Sequence, residues 1–170
     1  MKNALIAFVL CAAMVRPTAA DDTAVRFRGG IGVIPVSSGV GTATTAEVVN
    51  RNIVRGVQPP GQIWRISDLQ ARVSFNGSIS VRGKGLLLAG GNAIGTNANQ
   101  SVFATLICEA TAPFTLRSTD PAGVPLQPNG DFVINDVLSP APTAGCASPV
   151  LLIRNLGGAW FAAGIEDLGD

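Results

Sequence analysis

The chain has 170 residues, with 12 Lys and Arg against 11 Asp and Glu, no His and no Tyr. Without His, neither Ser-His-Asp nor Cys-His catalysis can be assembled, and a His-ligated metal centre is excluded. Charged residues make up 14% of the chain, against about 25% in an average globular protein, and the near-neutral balance gives no basic footprint for nucleic acid.

The first twenty residues read as an export signal. Lys2 supplies the positive start, and Ala4–Val15 is an apolar run of 12 residues. Thr18-Ala19-Ala20 places small residues where a signal peptidase reads them, and Asp21-Asp22 follows. A transmembrane helix needs about 20 apolar residues. The alternative, an uncleaved anchor, is disfavoured by Arg16-Pro17 directly after the run. Bulky Leu10 ahead of Cys11 argues against lipid attachment there. Cleavage after Ala20 leaves one domain, residues 21–170, with no transmembrane segment. It removes Lys2 and Arg16 and takes the net charge from +1 to −1. Low charge favours self-association or a protein partner. Cys11 leaves with the signal. Cys108 and Cys146 then remain, and two cysteines in an exported chain are expected to pair. The alternative is two buried thiols.

No stretch beyond the signal has a sustained helical period. Short β-branched runs cut by Gly, Pro and Asn recur instead. They predict strands at Ala24–Arg28, Ile31–Val36, Gln62–Ser67, Leu69–Val73, Ser78–Val81 and Gly85–Ala89. The second half adds Val102–Glu109, Phe114–Arg117, Val124–Leu126, Phe132–Leu138, Pro149–Arg154 and Ala159–Ile165. Thr44–Asn50 has a capping-box pattern, Thr44-x-x-Glu47, but Val48 and Val49 suit a strand equally well. The expected fold is all-β: an antiparallel sandwich of Greek-key or immunoglobulin-like type, or a closely related barrel, with one disulfide.

Two hairpins can be argued closely. Leu69, Ala71 and Val73 alternate with polar residues, and Ile79 and Val81 do so after Asn76-Gly77. Matching the apolar faces requires a loop with an odd number of residues. The loop Phe75-Asn76-Gly77 sets Val73 opposite Ile79 and Ala71 opposite Val81, with Gly77 at positive φ. By the same logic Pro128-Asn129-Gly130 is a three-residue turn. It is expected to set Leu126 opposite Phe132 and Val124 opposite Ile134. Val102–Cys108 and Val150–Ile153 are apolar on both faces and read as central strands needing a covering sheet or helix.

Little is left for chemistry. Beyond the signal the only Lys is Lys84, between Gly83 and Gly85, where a solvated strand start is the simpler reading. No spacing of acids resembles a calcium loop, so neither metal nor cofactor is expected. A carboxylate pair for hydrolysis needs only two acids close in space. The candidates are Asp131 and Asp136, whose opposite parity on one strand is expected to put them on opposite faces, and Glu109 and Asp68, which have no sequence link. Gly29-Gly30-Ile31-Gly32 and Gly90-Gly91 lead into no helix, so they read as turns or bulges rather than phosphate cradles. Asn76-Gly77-Ser78 and Asn99-Gln100-Ser101 match the glycosylation pattern, which matters only in a eukaryotic source. Gln70, Arg72, Ser74, Ser80 and Arg82 are expected to share one outer sheet face, either simply solvated or open to an acidic partner. Trp64 and Trp160-Phe161 read as core or rim aromatics.

Three segments stand out together: Arg55-Gly56-Val57-Gln58-Pro59, Ile63-Trp64-Arg65-Ile66, and Val81–Gly91 with its Arg82-Gly83-Lys84-Gly85 core. With Leu151-Leu152-Ile153-Arg154, Trp160–Ile165 and the two cysteines, they resemble a group of small exported bacterial proteins of unknown function. The resemblance spans most of the mature chain. It implies no activity and no functional residue. The function expected is a non-catalytic structural or binding role outside the cytoplasm. The alternatives are a pilin-like donor-strand subunit and a carboxylate-only hydrolase.

Overall fold

A computed structural model describes residues 22–42, 45–142 and 146–169, with side chains between 37 and 49 left aside. The expected signal, residues 1–20, lies outside the described residues, as does Thr44. The described residues contain strands and no helix. In chain order the strands are β1 (Thr23–Gly32), β2 (Val36–Thr42), β3 (Thr45–Arg51), β4 (Trp64–Arg65), β5 (Asp68–Ser74), β6 (Ser78–Lys84) and β7 (Leu87–Leu88). They continue as β8 (Ser101–Ile107), β9 (Arg117–Ser118), β10 (Val124–Pro125), β11 (Phe132–Val137), β12 (Val150–Asn155) and β13 (Trp160–Glu166). The described part of the ambiguous segment, 45–50, is therefore in a strand, β3, hairpinned with β2.

The main sheet is antiparallel and runs β10-β8-β12-β13-β1-β5-β6-β11, with β9 also on the edge of β8. Its two end strands, β10 and β11, are consecutive in the chain. The short link between them draws the ends of the sheet together into a nearly closed barrel. A second tie lies further along. The Ser118 N–H donates to the Ser139 carbonyl at 3.1 Å, and the Ser139 N–H returns to Ser118 at 2.9 Å. Of the two architectures open to the sequence, the strand order gives the barrel-like form.

Alternation carries the core. In β5 and β6 every second residue is buried, so Leu69, Ala71, Val73, Ile79 and Val81 point inward. The observed register sets Ala71 opposite Val81 and Val73 opposite Ile79. Gly77 has φ 89° and its N–H donates to the Ser74 carbonyl, which closes the odd-length loop that face matching requires. At Gly83 the space is needed instead. A Cβ there would lie 2.1 Å from the Phe132 ring, which faces this residue from β11. The Gly29-Gly30 pair sits at a bulge, where the register of β1 on β13 shifts between Phe27 and Gly30.

The second hairpin differs from expectation. The turn itself forms: the Gly130 N–H donates to the Gln127 carbonyl, Gln127 donates to the Asp131 carbonyl, and Gly130 has φ 81°. Its arms then part. Val124 lies opposite Val102 of β8, not Ile134, and Phe132 lies opposite Gly83 of β6, not Leu126. The cause is the two open sheet edges. Pairing the arms with each other would leave the outer edge of β6 open and that of β8 paired only with the short β9, whereas splitting them satisfies both edges. The turn is pinned at the branch point, because the Leu86 N–H donates to the Gly130 carbonyl and the Gly85 N–H to Asp131 Oδ1. Leu126, Phe132 and Ile134 still share the core.

β8 is buried on both faces, as its sequence requires. No helix among the described residues covers it. At its end the Arg55 side chain donates to the Ile107 carbonyl, and Val57 belongs to the core cluster against which Val54 and Phe114 pack.

Candidate functional site

Arg55 and Gly56 both have positive φ, 47° and 83°, in a two-residue turn closed by Val54 and Val57. The turn projects the Arg55 guanidinium onto two distant segments. It donates to the Ile107 carbonyl at 3.1 Å, to the Ser148 carbonyl at 2.5 Å and to Ser148 Oγ at 2.6 Å. Cys108 and Cys146 form their disulfide beside these contacts, and the Ser148 N–H donates to the Cys108 carbonyl. The end of β8 and the approach to β12 are thus joined covalently and by one arginine. The Arg55-Gly56-Val57 motif is structural: its backbone strain is offset by three hydrogen bonds across the chain.

The aromatics are core. Trp64 and Phe161 stack with centroids 4.0 Å apart, and both are buried. Trp160 is buried and donates through Nε1 to the Asn52 carbonyl. None forms an exposed docking pair.

The four acids singled out from the sequence, Asp68, Glu109, Asp131 and Asp136, lie apart, and each accepts hydrogen bonds from its surroundings. Asp68 accepts from Gln70. Asp131 accepts from the Gly85 N–H and from Asn129. Asp120 and Asp136 approach each other at the β10–β11 seam, beside a cleft of about 200 Å³. There Asp136 accepts N–H bonds from Asp120 and Val137, and Asp120 accepts from the Ala122 N–H. No group of three or more potential metal ligands occurs among the described residues. Sequence reading singled out Asp136 without its neighbour Asp120, because the loop holding Asp120 gives no periodic signal.

Glu109 is the most perturbed acid. Arg117 donates to it at 2.8 Å and the Thr115 N–H at 3.2 Å. The Arg117 hydrogen bond outweighs the opposing effect of burial and holds the carboxyl at about 2, below its ordinary 4.5. The unfolded chain therefore takes up its proton first as pH falls. Stabilisation from this pair is complete above pH 4.5 and disappears as pH drops toward 2. The pair is partly solvated, so its worth is about 1 kcal/mol. The expected result is that Glu109→Gln lowers stability by that amount at pH 7 and much less at pH 2.5, measured by urea titration at both values.

Arg154 is half-buried, and burial lowers its pKa. Its guanidinium lies 5.2 Å from the centroid of Phe103, and its Nε donates to the Gly158 carbonyl. This holds the β12–β13 turn and leaves no reactive group exposed.

The outer face of β1, β5 and β6 is different. Arg26, Arg28, Gln70, Arg72, Ser80 and Arg82 are all exposed there, alternating with the core residues. Arg26 lies directly opposite Arg72, which lies opposite Ser80. Arg28 lies opposite Gln70, which lies opposite Arg82. These six side chains line a shallow groove of about 400 Å³. A second groove, about 550 Å³, crosses β6 and β11 toward β10 and includes Arg82 and Lys84. The two meet at Arg82. The hairpin alternation exposed half of this face to sequence reading; the β1 half was missed, because only the sheet order places Arg26 and Arg28 beside Arg72.

No protein-family model, curated protein or solved structure significantly matches the chain. No helix among the described residues is long and apolar enough to cross a membrane.

Proposed function

We propose that the protein is an exported, non-catalytic β-barrel module with a structural or binding role outside the cytoplasm. The observation that carries this reading is the use made of the candidate acids. Asp68, Glu109, Asp131 and Asp136 lie in separate hydrogen-bonding arrangements, each holding local chain, and no two of them converge on a cleft. The disulfide suits an oxidising compartment, and the leader sequence suits export. The donor-strand alternative gains nothing from the strand order, because the ends of the main sheet are tied by the Gln127–Asp131 turn and the Ser118–Ser139 bridge.

Expression in a bacterial host, followed by fractionation and N-terminal sequencing, should recover a chain beginning at Asp21 outside the cytoplasm. The purified protein should turn over no glycoside or ester. Turnover that vanishes in Asp120→Asn/Asp136→Asn would overturn the non-catalytic reading in favour of a hydrolase. Retention in the cytoplasm with an intact leader would overturn export.

A further inference from the structure

We propose that the end of the barrel beside β4 and β7 binds one uncharged sugar unit, free or at the end of a glycan. This deepens the binding-module reading and rests on it.

Segment 60–64, β7, the loop before β8, the end of β12 and the turn into β13 meet there around a cleft of about 300 Å³. Its lining has two kinds of group. Trp64, Phe161 and Leu88 are buried and form an apolar floor. The polar side chains are three carboxamides, Gln62, Gln100 and Asn155, and no ionisable side chain joins them among the described residues.

Two of the carboxamides are held in place. Asn155 Nδ2 donates to Gln100 Oε1 at 3.3 Å, and the Ala159 N–H donates to Asn155 Oδ1 at 2.9 Å. Gln100 Nε2 donates to the Ala98 carbonyl at 3.3 Å. Each of these amides thereby uses one N–H and one lone pair, and keeps one of each for a ligand. The third, Gln62, is exposed. The loop that carries Gln100 is itself strained. Ala98 and Asn99 have φ of 48° and 51°, in the region that favours glycine. Asn97 enforces this turn. It accepts from the Asn99 N–H and donates to the Leu126 and Gln127 carbonyls. Strain of this kind persists where the surrounding structure holds it, and here it fixes one wall of the cleft.

These groups select a class of ligand. An ion would lose its hydration without meeting a counter-charge. A wholly apolar ligand would leave the carboxamides without partners. Hydroxyl groups, each both donor and acceptor, match carboxamides, and the C–H face of a sugar ring suits the apolar floor. The volume lies at the lower end of small-molecule sites and holds about one ring. A peptide bound as an added strand needs an open sheet edge. The strands beside the cleft are already engaged. β12 lies between β8 and β13, and β13 between β12 and β1. The Trp64 N–H donates to the Val33 carbonyl and Trp64 pairs with Leu88, which exchanges backbone hydrogen bonds with Gly95 and Thr96.

The test titrates the mature protein in a calorimeter with glucose, galactose, mannose and N-acetylglucosamine, and with a linear trisaccharide of each. At least one is expected to bind with millimolar affinity or better. Tighter binding of the trisaccharide identifies a glycan end as the ligand, and equal binding identifies the free sugar. Gln62→Ala/Gln100→Ala removes two of the carboxamides and should weaken binding about tenfold or more. Gln70→Ala/Gln127→Ala removes two exposed carboxamides elsewhere and should weaken it less than twofold. Circular dichroism and urea midpoints check folding. Gln62→Ala alone, at an exposed position, should still weaken binding at least threefold if the double variant does not fold. Absence of binding by every sugar, or equal losses in the two double variants, overturns the proposal. So does tighter binding of glucuronate or of a blocked dialanine peptide than of any neutral sugar. These outcomes leave the turnover and export tests untouched, so the two readings fail separately.

Discussion

Replacing Cys108 and Cys146 together by Ser is expected to lower the unfolding free energy by about 4 kcal/mol. The bridge spans 38 residues, and closing a loop of that length removes this much conformational freedom from the unfolded chain. The loss should fall on the unfolded state rather than on the native one. Arg55 still ties the Ile107 carbonyl to Ser148 when the sulfurs are gone, and β8 still pairs with β12 from Ile107–Val150 to Val102–Asn155. The variant should therefore keep the native far-ultraviolet spectrum at 25 °C while its urea midpoint falls sharply. Wild-type protein treated with a reductant should reproduce the variant's midpoint. A loss below about 1 kcal/mol would show that the reduced unfolded chain keeps residual structure that already holds these two positions near each other.

The two hairpins show how far local sequence reaches. Face matching around Asn76-Gly77 settles the register of β5 on β6, because both arms have only one way to hide Val73, Ile79, Ala71 and Val81. Around Pro128-Asn129-Gly130 the turn chemistry is just as specific, and the turn forms. Its arms, however, have better partners elsewhere. The Leu126 N–H donates to the Gln100 carbonyl, and β11 runs along β6. Turn residues specify a reversal of the chain; which strands then pair is decided by edges exposed far away in sequence. The outer arginine face follows the same division. Arg72 and Arg82 could be assigned to one face from their alternation, whereas Arg26 and Arg28 join them only through the pairing of β1 with β5. That β8 is buried on both faces was legible from its sequence, whereas what meets its end was not. Segment 52–60 has no periodicity and works through single contacts, such as Arg55 on the Ile107 carbonyl and on Ser148.

Trp64→Ala is expected to cost about 3–5 kcal/mol, comparable to loss of the disulfide. Trp64 is only 4% exposed, and its ring stacks on Phe161 at 4.0 Å with the planes 12° apart. It also belongs to β4, a strand of two residues that would have little reason to hold its place without this anchor. The Trp64 N–H donates to the Val33 carbonyl, and Trp64 pairs with Leu88 of β7. Backbone approach here is close: a Cβ on Gly32 would lie 2.1 Å from the Trp64 carbonyl oxygen. Removing the indole therefore opens a cavity and also frees the small β4–β7 pair from the end of the barrel. Trp64→Phe keeps a stacked ring and should recover more than half of the loss. In a double-mutant cycle with Phe161→Ala, the two truncations should couple by about 1 kcal/mol, the usual worth of an aromatic pair beyond its buried area. Urea unfolding followed by far-ultraviolet circular dichroism gives all four stabilities. Full additivity would mean that each ring is held by its other neighbours, and that the β4–β7 pair keeps its place through the Val33 and Leu88 backbone contacts.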